Sequence, residues 1–251
     1  SSPTPSPQAI YRPGVAGYLK AAQAQFDQST QVLGRYDQRQ EKIVANNDIW
    51  GRLIADQTDH KTDTFGYHQS NQNLQFGKNI GTNNDNSTAG VTLGFGFQSA
   101  NYKDKNRAFT KAGENTGNSK TSQYHLGAYY SQQNADNQYV DLQTQISSST
   151  TKFNDVNDTS AKQSGLGVAV SAEVGKSFAL GDSGFEITPQ AQFIYQNTSY
   201  KAFNDSVSSV GKQTAESLRV RAGASLKPNK AAAAPDQLNW YTSLNVWQEV
   251  L

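Results

Sequence analysis

A two-residue alternation of polarity starts after Asn46-Asn47-Asp48 and persists to the C-terminus, and it limits the folds open to this chain more than any other feature. Val91, Leu93, Phe95 and Phe97 alternate with Thr92, Gly94, Gly96 and Gln98; Leu166, Val168, Val170, Ala172 and Val174 alternate with Gly167, Ala169, Ser171 and Glu173; Leu218, Val220, Ala222 and Ala224 alternate with Arg219, Arg221 and Gly223. Successive side chains of a strand point to opposite faces, so each run is a strand with one apolar and one polar face. Weaker runs follow Tyr124, Val140, Phe185 and Trp240, and shorter ones lie near Trp50-Gly51-Arg52-Leu53 and Leu74 to Ile80, which makes about nine strands.

A soluble sandwich also alternates, and three further features separate the two cases. The runs are about ten residues long, the length that crosses a bilayer at a tilt. Their apolar face is almost entirely Leu, Val, Ala, Phe and Tyr, while the other face is small, glycine-rich and sparsely charged. The connections Asp56 to Gln72, Lys103 to Lys120, Ser149 to Gln163 and Ser199 to Glu216 are long and hydrophilic, whereas turns such as Asn134-Ala135-Asp136-Asn137 are short. Hydrocarbon offers no partner to backbone amides, so a spanning sheet must close on itself. We therefore expect an all-β, transmembrane, antiparallel up-and-down β-barrel. Leu93, Phe95, Phe97, Val168, Val170 and Val220 should face lipid, and Arg52, His125, Asp141, Glu173, Arg219, Arg221 and Glu249 should line a wet lumen. Tyr102, Tyr124, Tyr195 and Trp240 are expected as interfacial girdle aromatics.

Ahead of the strands, Pro13 to Gln40 carries helical spacing in Val15, Leu19, Ala22, Phe26 and Leu33, which predicts a helix from about Val15 to about Tyr36. Its apolar stripe is thin and its other faces carry Gln23, Gln25, Gln28 and Gln31, so it suits a polar cavity better than an oily core. We expect it inside the pore, with Val15, Leu19, Gln23, Phe26 and Arg35 as pore-helix residues. Residues 1–12, opening SSPTPSP, read as an extended linker, 13–45 as the pore-spanning segment and 46–251 as the barrel.

Composition removes whole classes of function. Zero cysteines exclude thiol catalysis and thiolate metal sites, and His60, His68 and His125 are too few for an imidazole-rich centre. A formal net charge of +1 gives nucleic acid no field to follow. No window resembles a spanning helix or a signal peptide. The missing methionine agrees with a processed start or an excised piece. Gly181-Asp182-Ser183-Gly184 copies a protease nucleophile sequence but reads as a turn. Gly94-Phe95-Gly96 lacks the third glycine of a dinucleotide loop and marks close packing instead. Asp155 and Asp158 are spaced too irregularly for a calcium loop. We expect no enzyme activity, cofactor or metal.

The order Pro13-Gly14-Val15-Ala16-Gly17-Tyr18-Leu19, Trp50-Gly51-Arg52, Leu74-Gln75-Phe76-Gly77-Lys78, His125-Leu126-Gly127-Ala128-Tyr129-Tyr130, Tyr139-Val140-Asp141, Val170-Ser171-Ala172-Glu173-Val174-Gly175 and Asn245-Val246-Trp247 resembles the translocator domain of monomeric autotransporters, the type V secretion family, over Pro13 to Leu251. The resemblance implies a twelve-stranded barrel in the outer membrane of a Gram-negative bacterium, a pore-spanning linker helix, and an N-terminal passenger carried in cis to the cell surface. Its implied partners are that passenger, outer-membrane lipids and the barrel-assembly machinery. Some members cut the linker by asparagine cyclisation. Here Asn46-Asn47 follows the helix, where a cut would free no passenger. Nine strands plus three make twelve, and Glu249-Val250-Leu251 lacks the family's terminal aromatic residue, so the chain is expected to stop short of a complete barrel. A passive porin and a soluble carbohydrate-binding β domain are the alternatives. An outer-membrane hydrolase is disfavoured by the poverty of histidine.

Overall fold

The structure, a computed structural model, describes residues 10–43, 49–81, 86–111, 113–228 and 240–251. Most of the expected linker and the Asn46-Asn47 pair lie outside the described residues. Helix α1 (Pro13–Leu33) is followed by a short α2 (Tyr36–Ile43). Nine long strands follow among the described residues: β1 (Ile49–His60), β2 (Phe65–Gly81), β3 (Ser87–Asp104), β4 (Asn115–Gln133), β5 (Gln138–Asp155), β6 (Ser160–Lys176), β7 (Phe185–Tyr200), β8 (Gln213–Pro228) and β9 (Thr242–Glu249). Each pairs antiparallel with the next in sequence, giving an up-and-down sheet curled into a half-barrel around α1. The free edges of β1 and β9 bound its open side among the described residues.

The alternation sorts the side chains as a strand period demands. Leu93, Phe97, Val168, Val170 and Val220 stand on the outer face, exposed by 47%, 64%, 50%, 44% and 39%, with no second layer over them. Phe95 shares that face, half-buried edge-on against Tyr124 with ring centroids 5.7 Å apart. A sandwich would have hidden all of these residues. The inner face is wrapped on α1 and buries Gln69, Asn71, Asn73, Gln98, Gln145, Gln192 and Gln196 with only small apolar patches between them.

Two expectations differ from what forms. The strands are longer than ten residues, 16 to 19 from β2 to β8, because the hydrophilic stretches read as loops continue the ladder. His60 still pairs with Tyr67, Tyr102 with Gly117, Asn154 with Ser160 and Tyr200 with Gln213. There the outer face turns to Ser, Asn and Lys while Tyr67, Tyr102 and Phe153 pack on the inner face, so the apolar-outward alternation ends while the backbone ladder persists. The hairpin connections at that end, the loop end, shrink accordingly, to Lys61–Thr64 between β1 and β2 and Val156–Thr159 between β5 and β6. Tyr102 is no outer girdle residue: it lies on the inner face, 2% exposed, against Ala16, Ala24 and Tyr67. With Phe97 outward, an even-numbered residue of β3 has to point inward.

Candidate functional site

The helix–sheet interface gathers many of the buried polar groups of the described residues, and it is built from both sides. Twenty-one residues make α1 about 31 Å long, close to the thickness of bilayer hydrocarbon. It runs along the inner face from the loop end, beside Tyr102, Phe153 and Phe203, to the turn end, beside Arg52 and Glu173.

At the loop end the connection between β7 and β8 folds over the start of the helix. Arg12 Nη2 pairs with Asp205 Oδ2 at 3.0 Å and donates to Ser208 Oγ at 2.6 Å, and Tyr18 Oη donates to Asp205 Oδ2 at 2.8 Å. The Tyr18 ring stands edge-on to Phe153 and Phe203, with centroids 5.1 and 5.0 Å away. Burial works against the Asp205 charge, but the backbone N–H groups of Val207 and Ser208, together with Tyr18 and Arg12, hold its carboxyl well below the usual carboxylate range.

Midway, polar side chains meet in pairs. Gln25 donates from Nε2 to Thr151 Oγ1 at 3.1 Å and accepts at Oε1 from the Ser149 hydroxyl at 2.9 Å. Gln145 donates to Ser29 at 3.1 Å and Gln196 to Thr30 at 2.9 Å. Gln98 donates to the Ala24 carbonyl at 2.7 Å. Gln28 donates to Asn73 at 3.0 Å and reaches it over Gly96, where a Cβ would fall 2.2 Å from Asn73 Oδ1 and 2.5 Å from Gln28 Nε2. Gly96 therefore clears a path for the helix. Asp27 accepts from Arg219 at 2.7 Å and from Tyr67 at 2.7 Å.

At the turn end α1 stops at Gly34, whose φ of +66° and ψ of −162° only glycine adopts readily. A Cβ there would sit 2.5 Å from Arg52 Nη1. The last helical carbonyls are capped by side chains: Arg52 donates to the Val32 carbonyl, Arg39 to Leu33 at 3.1 Å and Gln192 to Gly34 at 3.0 Å. Two guanidinium groups at this terminus also complement the helix dipole. Beyond the break, Tyr36 stacks on Tyr139 at 3.9 Å and its N–H donates to Glu173 Oε2 at 3.1 Å. Glu173 also receives Tyr139 at 2.7 Å and pairs with Arg221 at 3.1 Å, and Arg39 pairs with Asp141. All four charges are fully or almost fully buried, and each has an opposite partner, as burial of charge requires.

The residues expected on the inner face all carry that parity, but their contacts differ. Arg52, Glu173 and Arg219 touch α1 or the segment after it, Asp141 holds α2 through Arg39, and Glu249 reaches the helix only through Arg219. Arg221 touches Glu173, Gln190, Gln192 and Asn245 rather than the helix. His125 is 2% exposed.

On the helix itself, Phe26 is buried, Val15 and Gln23 are half-buried, and Leu19 is 56% exposed. Arg35 lies in the break between α1 and α2, where it pairs with Asp37 at 3.1 Å and donates to Ser243 at 3.0 Å. The buried face of α1 is instead Ala16, Gly17, Ala21, Ala24, Gln25, Gln28 and Ser29. A polar wall at close range selects small and hydrogen-bonding residues, so the apolar stripe marks only part of the contact face: Phe26 and Leu33 are buried in it and Leu19 is not. Gln25 and Gln28, which the sequence places on the polar faces of the helix, make these contacts, and Arg39 lies beyond the helix expected to end near Tyr36. The Ala/Gly/Gln recurrence along one side was the available signal.

An autotransporter beta-domain family model matches residues 49–251. Among solved structures, the translocator domain of autotransporter NalP from Neisseria meningitidis superposes with a TM-score of 0.66 at 18% identity, covering 95% of this chain and 80% of that one. The beta domain of the Bordetella autotransporter BrkA gives 0.57 at 18% identity over 79% of each chain. The transport unit of AIDA-I from Escherichia coli gives 0.51 at 12% identity over 95% of this chain and 98% of that one. None of the curated proteins compared with the chain matches it. These likenesses agree with the antiparallel sheet curled on its helix, and the chain belongs to the autotransporter beta-domain family.

Proposed function

We propose that this domain anchors an N-terminal passenger in the outer membrane of a Gram-negative bacterium, delivers it to the cell surface, and closes its own pore with α1. Domains of this family are transport modules rather than enzymes. The observation that carries the proposal is the continuous polar seam between α1 and the inner face, from Arg12–Asp205 at one end to Tyr36–Glu173 at the other. A segment that merely entered the barrel in passing would not need a side-chain partner at every turn. The outer row Leu93, Phe95, Phe97, Val168, Val170 and Val220 then faces lipid. Arg52, His125, Asp141, Glu173, Arg219, Arg221 and Glu249 line the lumen, the first twelve residues lead to the passenger, and assembly machinery inserts the barrel.

Planar-bilayer conductance tests the plug. Removing Val15 to Tyr36 should open a channel at least several times larger than the intact chain gives, and protease added to intact cells should reach the passenger of the full-length protein. Equal conductance with and without that segment would favour an open diffusion porin.

A further inference from the structure

The register of the sheet places three lysines side by side on its outer face. Lys120 of β4 pairs directly with Lys152 of β5, and Lys152 with Lys162 of β6. All three are exposed and none has an ion-pair partner among the described residues. Directly opposed side chains sit about 5 Å apart at Cβ, and like charges so placed destabilise a sheet. No acidic residue of the neighbouring strands shares their face: those of β2 to β6 are Asp104, Asp141, Asp155 and Glu173, and all have inner-face parity. A row of unneutralised cations costs stability unless an anion from elsewhere sits on it.

The surroundings say where that anion lies. The row stands at the loop end, four residues or about 13 Å along the strand above Tyr124, which tops the apolar belt of β4. Ser122 and Thr150 fill the step between them, and with Phe97, Ser99, Lys120 and Lys152 they line an outward-facing hollow of about 450 Å³. Anionic contacts are thus on top, hydroxyls in the middle, and aromatic and aliphatic side chains below, the order of parts in a phosphorylated lipid standing beside the wall. Lysine recognises phosphate as a point charge and its stem can bend along the wall to meet it.

We propose that Lys120, Lys152 and Lys162 form a seat for the phosphate groups of an outer-leaflet glycolipid, whose acyl chains lie down the belt below Phe97 and Tyr124. The leaflet assignment rests on the export orientation proposed above; the seat itself rests on the register. The intact protein in detergent is titrated with hexa-acyl diphosphoryl lipid A and followed by native mass spectrometry. The dissociation constant should rise at least about tenfold in K120Q/K152Q/K162Q, stay unchanged in K78Q/K176Q, and rise similarly for wild type with the dephosphorylated lipid. Equal affinity of the triple variant and wild type would overturn the seat. So would displacement by inorganic phosphate at the lipid's own concentration, which would make it a free-phosphate site. In intact cells, a membrane-impermeant maleimide should label K152C from outside. Labelling only after the outer membrane is breached would overturn the leaflet assignment and the export orientation together, whereas lost lipid selectivity with normal labelling overturns the seat alone.

Discussion

Arg219 of β8 holds Asp27 of α1 at 2.7 Å through one guanidinium nitrogen and Glu249 of β9 at 2.6 Å through another. It is the ion pair that ties the middle of the helix to the last strands beside the open edge of the sheet. Replacing Arg219 by glutamine should loosen α1 by about 1–2 kcal/mol, since the groups are mostly but not wholly shielded. Bilayer recordings of R219Q should show more frequent or larger openings, and R219Q/R221Q more still. Wild-type conductance in the double variant would show that these arginines do not hold the plug.

Glu173 joins four elements: Tyr36 of α2, Tyr139 of β5, Arg221 of β8 and its own β6. Glu173→Ala leaves the Arg221 charge buried without its carboxylate, at a cost of about 3–5 kcal/mol. Urea unfolding of folded protein in detergent should show that loss. E173A/R221M should recover part of it, because the double change removes the unpaired charge, and a cost that simply adds up in the double variant would argue against coupling.

Much of this architecture was legible from residue order. The clear runs containing Val91, Val168 and Val220, with six weaker ones, mark the nine long strands and the apolar face of each, because a period of two leaves no other choice once one face is apolar. The helix was legible as a helix but not in its rotation. Leu19 and Gln23 look like its contact face and do not form it, while Ala16, Gln25 and Gln28 do, because the surface they meet is polar and close. The overhanging strands past Thr58 and Gln98 were hidden for a related reason: there the outer face turns polar and aromatics such as Tyr67, Tyr102 and Phe153 pack on the inner face, so the alternation that marks the apolar belt ends although the hydrogen bonds continue. The break at Gly34 depends on Arg52 and Gln192 arriving from other strands as well as on nearby Arg39, and a local reading carries no sign of the two remote partners.

Gly34→Ala should be costly for two reasons acting at once. The backbone occupies a region that L side chains avoid, worth about 1–3 kcal/mol, and the new methyl would collide with Arg52 Nη1 at 2.5 Å. Gly113→Ala is the matched control, since its φ is +61° but nothing lies within 4 Å of the added Cβ. Unfolding midpoints should fall clearly for G34A and by no more than about 1 kcal/mol in equivalent stability for G113A. Similar losses at the two sites would mean that the capping of α1 by Arg52 contributes little.

The clasp of Asp205 on Arg12 and Tyr18 has a defined pH window. A carboxyl whose folded pKa lies below its unfolded value, about 3.9, contributes stability that is fully present above that value and is lost as pH falls through the folded one. The start of α1 should therefore stay clasped from neutral pH down to about pH 4 and loosen only in stronger acid. Hydrogen exchange across residues 12–18, corrected for the intrinsic pH dependence of exchange, should show constant protection over that range and a decline below it. Asp205→Asn keeps the shape but loses the charge that Arg12 pairs with. In that variant protection should be lower throughout and no longer fall with acid, and a wild-type profile in D205N would mean that the Tyr18–Phe153–Phe203 packing holds the helix start without the carboxylate.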